Sequence, residues 1–122
     1  MVTGFEDYTA PLSEYTEKVI VPLVCSMLDG RKGAENAITN KTLREWLAMR
    51  GHTVSDTEIR AIINHIRLNG KVRLLLASSK GYYQATTLKE VEEYCRSLSQ
   101  RSNAILAVKL ALQEQIMGRL FL

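Results

Sequence analysis

The chain has 122 residues, 46% hydrophobic and 24% charged, with a formal net charge of +3. Such values suit one soluble globular domain with a modest core and exclude a disordered or low-complexity chain. The longest apolar stretch, Val19 to Leu28, is interrupted by Pro22, Cys25 and Ser26. It is far shorter than the roughly 20 residues of a membrane span, and the acidic start (Glu6, Asp7) does not read as a secretory signal, so a cytoplasmic protein without membrane contact is expected.

In chain order, residues 1–10 read as a loose arm. Pro11 suits a first helical turn, where its missing N–H costs nothing. Leu12, Tyr15, Val19, Leu23 and Met27 then recur at helical spacing and form the expected buried face. Pro22 predicts a kink or break near Val21, and Asp29-Gly30 predicts the end. Residues 30–37 form a loop, followed by the isolated apolar Ile38. Thr39 caps a second helix running to about Arg50, with Leu43, Trp46 and Leu47 on its buried face.

Gly51 to Val54 is a tight connector. Ser55 and Glu58 have the spacing of a capping box and open a third helix, which buries Ile59, Ile62, Ile63 and Ile66 and ends at Asn69-Gly70. Val72–Ala77 and Tyr82–Ala85 read as the strands of a hairpin whose tip is Ser78-Ser79-Lys80-Gly81. Thr87 and Glu90 form a second capping box before a long helix from Leu88 to about Met117. The fold class is therefore mainly α with a small β-hairpin, and the order of elements is that of a winged helix-turn-helix domain plus a long C-terminal helix. The expected division is an arm at 1–10, a winged helix-turn-helix domain at 11–86 and a C-terminal helix at 87–122.

Charge is distributed unevenly along this order. Residues 41–80 carry eight Lys or Arg against three acids, a net of +5 that leaves the flanks at −2. A basic middle between acidic flanks is the pattern of a phosphate-binding face. On the third helix Thr57, Arg60, Asn64 and Arg67 lie opposite the isoleucines. Arg can fork onto guanine and Asn onto adenine, while Ser55 and Thr57 at the helix start suit phosphate. At the hairpin, Ser79 and Lys80 suit a neighbouring minor groove or its phosphates, and Arg73 suits phosphate.

The run Ile59 to Gly70, followed by Ser79-Lys80-Gly81-Tyr82-Tyr83, resembles the third helix and hairpin of winged helix-turn-helix DNA-binding domains. It is similar to the domain that precedes biotin ligase in biotin-operon repressors, and to small phage and prophage proteins that add a C-terminal helix. The resemblance covers residues 38–100. It implies that Arg60, Asn64, Arg67 and Lys80 meet DNA, in a regulator or replication accessory. The sequence departs from the pattern in two respects. No ligase or ligand-binding sequence follows, so biotin chemistry is not implied, and Val72 to Leu76 is more apolar than a solvated wing.

On the last helix Leu88, Val91, Cys95, Leu98, Ile105, Leu112 and Ile116 follow coiled-coil spacing, interrupted by Ser102 and Lys109. Leu106, Leu110 and Met117 form a second stripe. Residues 105–122 are expected to pair with a second copy, giving a homodimer; the alternative is folding back on the first helix. Cys25 and Cys95 lack metal or redox spacing and are expected to be buried, reduced thiols. His52 and His65 have no Cys, Asp or Glu at ligand spacing, and no catalytic or phosphate-loop motif occurs. Neither a metal, a cofactor nor an enzymatic activity is expected. The reading is a double-stranded-DNA-binding protein; a protein-interaction module on the same scaffold is the alternative.

Overall fold

The computed structural model describes residues 11–119, so the arm expected at 1–10 and the last three residues lie outside it. The described chain is mainly helical, with a two-stranded antiparallel hairpin and a long C-terminal helix. It divides into two compact units, the first ending at Thr86 and the second beginning at Thr87.

In the first unit a π turn at Thr16–Ile20 runs directly into α1 (Val21–Leu28). The break expected at Pro22 takes the form of this widened turn. Proline has no N–H to donate, and its ring would collide with the carbonyl four residues back in a regular helix. Here the Val21 N–H reaches the Thr16 carbonyl five residues back, so the chain stays helical through Pro22. The widening also rotates the buried stripe. Ile20, Val21, Val24 and Leu28 are buried, whereas Tyr15 and Val19, expected inside, are exposed. One extra residue in a turn shifts the helical phase by about 100°. Asp29 leaves helical geometry at ψ 129° and Gly30 takes φ 84°.

Thr39 caps α2 (Asn40–Ala48), its hydroxyl accepting the Thr42 N–H at 3.1 Å. Leu43 and Leu47 are fully buried, but Trp46 is only half-buried. The Arg50 guanidinium stacks 3.7 Å from its ring centroid. α3 (Asp56–Leu68) opens with both hydrogen bonds of the Ser55–Glu58 capping box and buries Ile59, Ala61, Ile62, Ile63 and Ile66. The four isoleucines pack with the buried side chains of α1, with Leu43 and Leu47, and with Ile38, Val72 and Leu75 in one core.

The hairpin is shorter than expected at its start. β1 (Leu75–Ser78) begins three residues after Val72 because Leu74, at φ 54°, turns the chain just before it. A leucine rarely adopts that left-handed conformation. β2 (Gly81–Gln84) returns with Leu75 opposite Gln84, Leu76 opposite Tyr83 and Ala77 opposite Tyr82. Tyr82 is half-buried against the core, and Tyr83 is buried as well, so neither tyrosine is solvent-facing.

The second unit is α4 (Leu88–Arg119), whose first turn is capped by the Thr87 hydroxyl accepting the Glu90 N–H at 3.2 Å. No helix of the described residues is long and apolar enough to cross a membrane. Both cysteines are free, but only Cys25 is partly buried; Cys95 is exposed on α4, contrary to the expectation that both are buried. Burial pushes the Cys25 thiol above its usual range, with the nearby Lys71 ammonium opposing the shift.

The half-burial of Trp46 sets its energetic weight. Truncating a fully buried tryptophan costs about 3–5 kcal/mol. Trp46→Ala is expected to cost less, about 1–3 kcal/mol, measured by urea unfolding with an unchanged m-value. A loss above that range would place the indole fully within the core.

Candidate nucleic-acid interface

The hairpin is positioned by contacts with the segment between α1 and α2. Ile38 and Tyr82 exchange both backbone hydrogen bonds, at 2.9 and 2.8 Å, so Ile38 adds a single bridge to the edge of β2. The isolated apolar residue of the sequence is thus both core and sheet edge. Gly81 makes this approach possible. It sits at φ 119°, and a Cβ there would collide with the Ile38 carbonyl.

Gln84 ties down the other end of β2. Its side chain is buried; its Oε1 accepts the Gly30 N–H at 2.7 Å and its Nε2 donates to the Arg73 carbonyl at 3.0 Å. Its backbone N–H donates to the Arg31 carbonyl at 2.7 Å, and its carbonyl accepts the Gly33 N–H at 2.9 Å. No sequence signal distinguished this glutamine, since its polar side chain on a strand reads as solvent-facing.

With the hairpin so placed, its tip and the first turns of α2 and α3 enclose a groove of about 430 Å³. From α2 and its cap come Thr39, Asn40, Lys41 and Arg44. α3 supplies Asp56 and Arg60, and the hairpin supplies Ala77, Ser78, Ser79, Gly81 and Tyr82. Its charge is basic but mixed. Arg44 Nε lies 3.0 Å from an Asp56 carboxylate oxygen, although the N–H is not aligned on it. Lys41 has only a loose approach to Glu45, at 3.9 Å between well-exposed groups. Arg60 is exposed and makes no ion pair among the described residues.

Of the residues singled out in the sequence, the groove brings together Arg60 and Ser79. Lys80 is exposed at the tip beside it, where its N–H donates to the Ser78 hydroxyl at 3.1 Å. Asn64 and Arg67 are half-buried farther along the Arg60 side of α3 and do not line the groove. Ser55 spends its hydroxyl on the Glu58 N–H as the helix cap. Thr57 lines a different recess, with Pro11, Leu12, Ser13 and Thr16. Arg73 is exposed, and its carbonyl accepts the Gln84 amide. Sequence reasoning counted Lys41 and Arg44 only as part of a basic region; their i, i+3 spacing directly after the Thr39 cap was the signal that they share one face.

Among the described residues no group of three or more His, Cys, Asp or Glu side chains is placed to hold a metal ion. Searches with the whole chain found no matching protein family, no matching curated protein and no matching solved structure. What the site can do is therefore argued from its own geometry.

The close approach at Gly81 has a direct test. Gly81→Ala is expected to cost about 2 kcal/mol or more, combining a positive-φ penalty with a backbone collision. Thermal unfolding of the variant measures it. A melting temperature equal to that of the unmodified protein would show that the hairpin does not depend on the Ile38 bridge.

Proposed function

We propose that this chain binds double-stranded DNA as a winged helix-turn-helix protein, in a regulatory or replication-accessory role of the phage or prophage type. The observation that carries this reading is the groove in which Arg60, Lys41 and Arg44 surround a hydroxyl-rich hairpin tip. A major groove about 12 Å wide admits one helix. With α3 in it, Arg60 presents its guanidinium to base edges, and Asn64 and Arg67 follow along the same side. Lys41 and Arg44, in the first two turns of α2, and Ser79 and Lys80, at the hairpin tip, border the same groove as Arg60. They are placed for phosphates, which fix position without reading sequence. Nothing in this scheme requires a covalent step, so the activity proposed is binding and not catalysis.

One observation favours the second reading, a protein-interaction module. Asp56 places a carboxylate in the groove and partly neutralises Arg44. A surface built for phosphate alone has no use for that acid. The two readings differ in whether a DNA duplex is bound at all.

Duplex binding measured by fluorescence anisotropy, on a selected and a scrambled sequence at several salt concentrations, separates them. Arg60→Ala is expected to weaken binding to the preferred duplex by about 1–3 kcal/mol and to relax its preference. Lys80→Ala is expected to weaken all duplexes about equally and to lower the salt slope by about one. Asp56→Asn removes a repulsive charge and is expected to tighten binding to both duplexes. If the unmodified protein binds neither duplex at low salt, the DNA reading fails and the interaction module replaces it.

A further inference from the structure

We infer that α4 is one strand of a parallel, in-register, two-stranded coiled coil formed with a second copy of this chain. The inference does not depend on DNA binding. Its first support is surface area. Leu98, Ile105, Leu112 and Ile116 are 41%, 70%, 54% and 61% exposed, and Leu106, Val108, Leu110 and Met117 are about half exposed or more. Apolar side chains exposed in a run along one helix, rather than scattered singly, mark an interaction surface.

The second support identifies the occupant and its direction. The stripe consists of two interleaved sets, each repeating every seven residues. Val91, Leu98, Ile105 and Leu112 are all apolar; Cys95, Ser102 and Lys109 are thiol, hydroxyl and ammonium, and Ile116 closes that set. A seven-residue repeat keeps one seam facing a partner helix along its whole length. In a parallel in-register pair each residue meets its own copy, so the apolar layers at Val91, Leu98, Ile105 and Leu112 alternate with Cys95, Ser102 and Lys109 layers, the two Lys109 ammoniums diverging into water. In an antiparallel pair each layer draws one member from each set, which places Ser102 and Lys109 against leucine or isoleucine. Lys109 also limits the assembly to two strands. Its stem can lie along the seam of a pair while the ammonium reaches water, an exit that three or more strands close off. Leu110 and Met117 lie outside the seam.

Cys95 is a built-in reporter of this geometry because it lies in the seam, is exposed and is free. Parallel pairing sets the two Cys95 thiols face to face, within reach of a disulfide. An antiparallel pair that sets Lys109 opposite Ile105 holds them roughly 36 Å apart. The experiment is mild oxidation of the full chain, read on non-reducing gels, beside sedimentation equilibrium under reducing conditions. The expected result is a disulfide-linked dimer that Cys95→Ser abolishes and Cys25→Ser leaves intact. Sedimentation is expected to give twice the chain mass of 13.8 kDa. Lys109→Ile is expected to tighten the dimer, and Leu112→Glu to weaken it, each by about tenfold or more. A folding defect cannot produce both signs. A single-chain mass throughout the micromolar range overturns the pairing. A dimer that does not cross-link through Cys95 overturns the parallel register.

Discussion

Everything proposed for the groove depends on where the hairpin is held, and that is fixed by buried hydrogen bonds as well as by apolar packing. Two strands alone are marginal in water. Here β2 is pinned at both ends. Gly81 admits the Ile38 backbone at one end, and the Gln84 amide at the other joins the exit of α1 to the approach of β1. An amide buried with both of its ends satisfied is rigid, because losing either bond leaves a polar group unpaired at a cost of about 1–3 kcal/mol. Ile38 transmits that rigidity, since its side chain lies in the same core as Leu43 and Ile59. The hairpin tip is thereby held beside the first turns of α2 and α3.

The groove that results is tuned more than it is strongly charged. Of its three basic side chains, Arg44 faces Asp56, Lys41 lies near Glu45, and Arg60 makes no ion pair among the described residues, although Asp56 lies one turn before it on α3. Exposed pairs of this kind are worth little to stability, with a median of about 0–1 kcal/mol. Their effect is on the field that a ligand meets. An acid beside a basic contact lowers indiscriminate attraction to any polyanion.

The helices were legible because their signals are local. The Thr39 cap, the Ser55–Glu58 capping box and the 3.6-residue spacing of the α3 isoleucines each depend on residues within one or two turns. The errors arose where the decisive partner is distant or the geometry is irregular. The face of α1 was misread because a π turn ahead of Pro22 shifts the helical phase, and no residue type marks a π turn. β1 was placed too early because Val72 to Leu76 is uniformly apolar, while the turn at Leu74 is a conformation that leucine does not advertise. Gln84 passed unnoticed because its partners lie 54 and 11 residues away. For the candidate site, Arg60 and Ser79 could be named from helix periodicity and turn chemistry. That Thr57 belongs to another recess, and that Lys41 and Arg44 belong beside Arg60, follows only from how α2 meets α3 and the hairpin.

The two units are stabilised in different ways, and this bears on how the chain works. The first unit carries its own core, from Ile20 to Leu75, and its hairpin is locked to that core. α4 is one long helix with much of its apolar surface exposed, and helices in isolation draw little stability from propensity alone. Ordering such a helix without covering its stripe leaves leucine and isoleucine in water, whereas pairing it removes them from water at about 25 cal/mol for each Å². On the proposed reading, recognition and pairing are therefore built on separate elements. Changes in the seam of α4 are then expected to alter how many copies act together while leaving the groove intact. Changes in the groove are expected to alter what each copy binds while leaving the pair intact.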